Sequence, residues 1–296
     1  MARMDLQTIF NQLDMPVHRT ESVHGGDINN AWCIYTNDKK YFLKTNDAAR
    51  YPGMFAKEAN GLALLRQYSD LAVPQVIAQG IYETTQYLLL EWLDKGASNA
   101  NAQYQFGKSI ARLHQATTDY FGLEEDNYIG SLIQINTPCK SWTDFYTNHR
   151  ILPLVKMLAD TKIFSSKDVK AAENFCALLD PVFPDEKPAL LHGDLWSGNY
   201  FTTQKGVTSI FDPAVYYGHR EMDIGMTRLF GGFWPEFYAG YNEVYPLENG
   251  WQQRLGYSQL YPLLVHAVLF GGHYVSNVRE ILYGTDSKPA GDIFWC

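Results

Sequence analysis

The chain has 296 residues, 46% of them hydrophobic, with 24 lysines and arginines against 32 aspartates and glutamates and a formal charge of −8. That length can bury a substantial core, as one large unit or as two lobes, and the acidic balance argues against broad nucleic-acid binding, which needs a basic surface. Cys33, Cys139, Cys176 and Cys296 show no CxxC pair or metal-ligand spacing, which excludes a zinc site or disulfide framework as the organising device and fits reduced thiols in a cytoplasm. The opening Met1-Ala2-Arg3-Met4-Asp5-Leu6 has no basic region leading into an apolar stretch, and no apolar run reaches bilayer-spanning length, so neither export nor membrane insertion is expected. A negative field suits a cationic substrate, and it equally serves solubility.

Apolar residues at Met4, Ile9, Phe10 and Leu13 predict a short amphipathic helix before Pro16. Val17 to Val23, Ala31 to Thr36 and Tyr41 to Thr45 read as strands, with Gly25 and Gly26 in the first connection and Lys44 near the end of the third. A helix follows over Tyr51 to Tyr68, its apolar face marked by Phe55, Leu62 and Leu65, and it carries Glu58. Val73 to Ala78 and Gln86 to Trp92 complete five strands. The period then turns helical, with Phe106, Ile110, Leu113 and Thr117 on one face of a helix running to about Thr118. His114 on that helix reads as a hydrogen-bonded core histidine. Phe121 to Cys139 reads as loop, and further helices are predicted over Trp142 to His149, Leu152 to Leu158 and Ser165 to Leu179, the last capped by Ser165 or Ser166. Arg220 to Phe230 reads as a helix, and Phe233 to Tyr283 is helical and heavily aromatic, most of its rings serving the core.

Between these helices lies His192-Gly193-Asp194-Leu195-Trp196-Ser197-Gly198-Asn199, followed by Ile210-Phe211-Asp212-Pro213. Tyr200 to Thr203 and Val207 to Phe211 are β-prone runs joined by Gln204-Lys205-Gly206, a hairpin that returns Asp212 to the side of Asn199. An acidic residue, an amide five positions on and a second carboxylate at a strand end are what transfer of a phosphoryl group from Mg-ATP to a hydroxyl requires. In this reading Asp194 takes the acceptor's proton, and Asn199 and Asp212 offer hard oxygens to magnesium. Lys44 reaches the nucleotide phosphates and Glu58 holds it there. Resemblance to kinase-like folds, in which an acidic residue at this place braces the catalytic loop, assigns Asp223 to support rather than to substrate.

Together with Phe211-Asp212-Pro213-Ala214, Tyr216 to Asp223, Leu260 to Leu264 and Phe270-Gly271-Gly272-His273-Tyr274, the His192 to Asn199 run resembles the fructosamine kinase (ketosamine 3-kinase) family, within the aminoglycoside phosphotransferase-like, protein-kinase-like superfamily. The resemblance implies an α+β bilobal fold: a nucleotide-binding lobe over residues 1–93 with a five-stranded antiparallel sheet, and a mainly helical lobe over 94–296 for catalysis and substrate. It implies ATP and Mg2+ as cofactors and a ketosamine, free or as glycated lysine, phosphorylated at its 3-hydroxyl for deglycation. Gly25 and Gly26 are assigned to the phosphates, although a plain hairpin turn satisfies the local sequence as well. Glu91, Trp92 and Leu93 are assigned to the adenine connector by position, with an ordinary strand exit as the alternative. Trp196, His219, Arg220 and Glu221 are assigned to the acceptor. A related aminoglycoside, choline or homoserine kinase shares the Asp194, Asn199 and Asp212 skeleton, and a non-catalytic nucleotide-binding scaffold is the rival of another class.

Overall fold

The β-prone runs in the first third of the chain form one sheet with a helix packed on each face. In a computed structural model that describes residues 6–23 and 28–284, helix α1 (Leu6–Gln12) lays Ile9 and Phe10 on Ile34, Leu43 and Leu89. Strands β1 (Val17–Ser22), β2 (Asn30–Thr36), β3 (Lys40–Asp47), β4 (Val76–Tyr82) and β5 (Thr85–Glu91) make an antiparallel sheet in the order β1-β2-β3-β5-β4. Helix α2 (Met54–Tyr68) crosses the other face, burying Phe55, Leu62 and Leu65 as their spacing predicts. Those side chains join a core that also holds Phe106, Ile110, Leu190, Ile210 and Val215. The sheet and the strands of the catalytic region therefore share one apolar cluster, which fixes their relative position.

Helix α3 (Ala100–Leu113) starts under an Asn99 side-chain cap on Ala102 N–H and stops short of the expected Thr118. It ends because the chain must turn to pair: Ala116 O accepts from Leu190 N–H at 2.9 Å. The segment read as loop holds a small hairpin, β6 (Asn127–Ile129) and β7 (Leu132–Gln134). Helices α4 (Trp142–Tyr146) and α5 (Leu152–Asp160) are one run interrupted by a wider π-helical turn, Thr147–Ile151. Pro153 supplies the reason, since its ring has no N–H for the preceding turn and crowds a carbonyl there. Helix α6 (Ser166–Ala177) opens with a reciprocal capping box between Ser165 and Asp168.

Short strands then frame the His192 to Asp212 segment: β8 (Ala189–Leu191) pairs with β11 (Tyr216–Gly218), and β9 (Tyr200–Thr202) pairs with β10 (Thr208–Ile210) in the expected hairpin. Helices α7 (Glu221–Leu229), α8 (Pro235–Val244), α9 (Leu255–Phe270) and α10 (His273–Gly284) complete the larger, helical lobe. The architecture is bilobal α+β, and no described helix is long and apolar enough to cross a membrane. Cys33, Cys139 and Cys176 are free thiols.

Candidate active site

The catalytic loop leaves β8 through His192 and Gly193. Gly193 has φ +82, and a Cβ there would meet Ala214 O at 2.0 Å, so only glycine lets the loop lie this close to the Asp212 segment. Both backbone amides at the turn are held by one buried carboxylate: Asp223 accepts from His192 N–H at 2.8 Å and from Gly193 N–H at 2.9 Å. Asp223 also accepts from His114 Nε2 at 3.2 Å, and Tyr241 OH lies 2.8 Å from His114 Nδ1. The expected brace and the expected core histidine are thus parts of one network. His192 Nδ1 accepts from Asp194 N–H at 3.3 Å, which leaves Nε2–H to donate to Phe211 O at 3.0 Å. Burial pushes the His192 pKa down, so the ring stays neutral and bridges the loop to the strand that delivers Asp212.

The hairpin brings the predicted acidic and amide groups together in one cleft of about 280 Å³, lined by Lys44, Glu58, Asp194, Asn199 and Asp212 among others. Asn199 Nδ2 donates at 2.9 Å both to Asp194 O and to Asp194 Oδ2, which sets the rotamer of the carboxylate. Burial pushes the Asp194 carboxyl up to about 7; the Asn199 amide pulls it down, and the charges of Asp212 and Asp223 add to the rise. A carboxylate so poised exchanges a proton readily near neutrality. Lys44 Nζ bonds Glu58 Oε1 at 2.7 Å and Asp212 Oδ1 at 2.5 Å. Burial works against its ammonium, but Asp212 and Glu58 more than offset it, so the Lys44 pKa is raised and the side chain is a fixed cation. Asp212 itself sits at φ +55, a left-handed backbone that costs a non-glycine residue about 1–2 kcal/mol. Strain of this kind at a cleft carboxylate persists only because the bonds around it over-determine the backbone.

The donor set suits magnesium. Asn199 spends its Nδ2 on Asp194, leaving Oδ1 for a ligand, and the Asp212 side chain is 44% exposed to the cleft. One carboxylate and one amide oxygen match a cation that takes few protein ligands beside phosphate oxygens and water.

Other predicted residues lie elsewhere. Gly25 and Gly26 fall outside the described residues. Glu91 ends β5 and Trp92 and Leu93 follow it, and the chain beyond them is tied to the β9–β10 hairpin by Gly96 N–H to Thr202 O at 2.7 Å and Gln204 N–H to Asp94 O at 3.0 Å. They are not among the residues lining the cleft around Asp194. The structure does not bring His219, Arg220 and Glu221, assigned above to the acceptor, into this cleft: they are 1%, 2% and 3% exposed and are not among its lining residues. Arg220 makes a bidentate pair with Glu186 at 2.8 and 2.6 Å and donates to Tyr245 O and Pro246 O. Glu221 is gripped by Arg254 at 2.9 and 2.5 Å. His219 accepts from Glu221 N–H and lies 3.2 Å from Pro184 O, and burial pushes its pKa down to about 4. This run anchors the start of α7, and through α7 it places Asp223.

Trp196 does line the cleft and is 36% exposed. It heads an aromatic wall that also takes in Phe270, a residue expected in the core. Trp196 meets Phe230 edge-on at 5.8 Å, Phe230 lies 4.9 Å from the His266 ring, and His266 lies 5.6 Å from Phe270. Phe270 is 54% exposed, a signal of a binding face that hydropathy alone does not carry.

The profile of the fructosamine kinase family matches residues 3–285. A probable ketoamine kinase of Enterococcus faecium is 37% identical over 284 residues, which span 94% of this chain and 99% of that relative. A chloroplastic protein-ribulosamine 3-kinase of Oryza sativa subsp. japonica is 36% identical over 267 residues, 88% of this chain and 77% of that one. The crystal structure of a candidate fructosamine-3-kinase from Haemophilus somnus superposes with a TM-score of 0.84 at 31% identity, covering 94% of this chain and 95% of the other. With its bilobal kinase-like fold and relatives along almost its whole length, the chain belongs to the fructosamine kinase family.

Proposed function

We propose that the protein transfers the γ-phosphoryl group of ATP, with magnesium, to the 3-hydroxyl of a ketosamine formed from a sugar and an amine such as a lysine side chain. The observation that carries this reading is the convergence of Lys44, Glu58 and Asp212 in one ion-paired cluster beside the Asn199-held Asp194. Asp194 receives the proton of the attacking hydroxyl, and its position in the cleft orients that hydroxyl toward the phosphoryl group. Lys44 supplies fixed positive charge where the phosphate oxygens gather, and Glu58 prevents it from swinging away. Asn199 and Asp212 would hold magnesium, which supplies charge neutralisation on the phosphates when bound.

The aromatic wall is assigned to the acceptor. Trp196 and Phe270 offer apolar faces for the sugar ring or the lysyl methylenes. His266 Nδ1 bonds Pro262 O at 2.8 Å, which leaves Nε2 as an acceptor for a sugar hydroxyl. Burial pushes the His266 pKa down and keeps that nitrogen unprotonated. Deglycation follows as the role, since a 3-phosphoketosamine is unstable and releases its amine.

Phosphorus NMR of the product tests the regiochemistry, with coupling to the C3 proton expected and phosphate on another carbon contradicting it. Asp212→Ala is expected to weaken magnesium-dependent nucleotide binding at least tenfold, the size of one lost charge-assisted contact of about 1.5–3 kcal/mol. Titration of a nucleotide with and without magnesium checks this, and unchanged magnesium dependence would remove Asp212 from the ligand set.

A further inference from the structure

Both ends of the Lys44 bridge are fastened to the same small hairpin. On one side stands α2, which carries Glu58. Asn60 Nδ2 donates to Glu125 Oε1 at 2.7 Å, Lys57 Nζ pairs with Glu125 at 3.7 Å and donates to Asp126 O, and Tyr128 OH donates to Pro52 O at 3.1 Å, just before α2 begins. On the other side stands the segment that leaves Asp212. Asn127 Nδ2 donates to Val215 O at 2.8 Å, and Gln134 Nε2 donates to Ala214 O at 3.0 Å. The hairpin is stiff between these two grips. Asn127 Oδ1 accepts from Gln134 and Asn136, Asn136 N–H donates to Asp126 Oδ1, and the fully buried Arg150 donates to Asn136 Oδ1 at 2.7 Å. Gln134 Oε1 accepts in turn from Tyr261 OH.

From this closed triangle of α2, hairpin and Asp212 segment, we propose that residues 124–136 act as a strut that holds Glu58 and the strained Asp212 at one fixed spacing around Lys44, with Glu125 as a positioning residue. The strut makes the lysine–glutamate pair a built-in property of this chain. A helix held only by its apolar face can slide or rotate along the core, whereas polar bonds at both edges of the hairpin define one register. The inference rests on the kinase reading of the cleft.

Glu125 suits a test because its side chain is 42% exposed, so a substitution there buries no charge. In Glu125→Lys the new ammonium repels Lys57 and takes away the acceptor of Asn60, while Glu125→Gln keeps an oxygen for Asn60. Glu125→Lys is expected to lower kcat about fivefold with acceptor KM within about twofold, a coupling of the size found for residues that act through a neighbour. Its Tm should stay near that of the parent, its α2 amides over 54–68 should exchange hydrogen faster, and Glu125→Gln should restore both readouts. Parent-like kcat and α2 exchange in Glu125→Lys would overturn the proposal, as would a Glu125→Gln variant equally impaired. The α2 exchange and the affinity for a magnesium-bound non-hydrolysable ATP analogue, which Glu125→Lys should lower, need no acceptor. A protein that phosphorylates no ketosamine but shows both effects would keep the strut and lose the functional reading.

Discussion

Asp194→Asn is expected to lower turnover about a thousandfold, in the range lost when a general base is removed, while magnesium-nucleotide binding persists. The same substitution should raise Tm. Burial lifts the Asp194 carboxyl to about 7 from the ordinary aspartate value, so the folded state disfavours the ionised form. The sign follows from linkage. A carboxyl with a raised folded-state pKa binds protons more tightly when folded, so its penalty is absent at low pH, grows between about 4 and 7, and is complete above that. Asparagine keeps the shape and the bond to Asn199 without the charge, so the gain in stability should appear at pH 8 and vanish at pH 4. Turnover of the parent protein should fall as pH drops through about 7, because the base must be unprotonated to accept the hydroxyl proton. Near-parent activity in Asp194→Asn would refute the assignment; calorimetry at the two pH values checks the stability claim.

Arg220→Ala is expected to destabilise the protein by about 3–5 kcal/mol, because it strands a largely buried Glu186 without its bidentate partner. For a chain of 296 residues that corresponds to a fall in Tm of about 5–8 °C. Acceptor KM in the protein that remains folded should be unchanged, since Arg220 is buried at the start of α7 and does not line the cleft. Burial works to raise the Glu186 pKa, but the Arg220 bonds and the neighbouring positive charges lower it below the usual glutamate range. Its contribution is therefore present above about pH 4.3 and lost as pH falls below it. Arg220→Ala with Glu186→Gln should recover part of the loss, because no uncompensated charge is left. A raised acceptor KM at unchanged Tm would return Arg220 to the substrate site.

The contrast between these two residues shows what was legible in the chain. Asp194, Asn199 and Asp212 are close in sequence and joined by a hairpin with its own turn signal, so their meeting follows from local rules. Lys44 and Glu58 were legible because a strand and the helix after it allow few placements. Asp223 could be assigned only through resemblance to kinase-like folds, where an acidic residue at this place braces the loop, and here it holds the loop amides. His219, Arg220 and Glu221 could not be read that way. A charged run looks exposed unless its partners are known, and Glu186 and Arg254 stand 34 and 33 residues away. The strut was read as loop because strands of three residues carry no periodicity. Phe270 looked like core because an aromatic residue in a helix usually is, and only three-dimensional placement separates a cleft wall from a packed interior.

The most direct measurement is consumption of magnesium-ATP by the purified protein against ribulosyl-lysine, fructosyl-lysine, an aminoglycoside and choline, with Asp194→Asn as control. Turnover confined to the two ketosamines and absent in the control is the predicted result. Turnover of the aminoglycoside or choline with neither ketosamine consumed, or turnover that survives in the control, would contradict it.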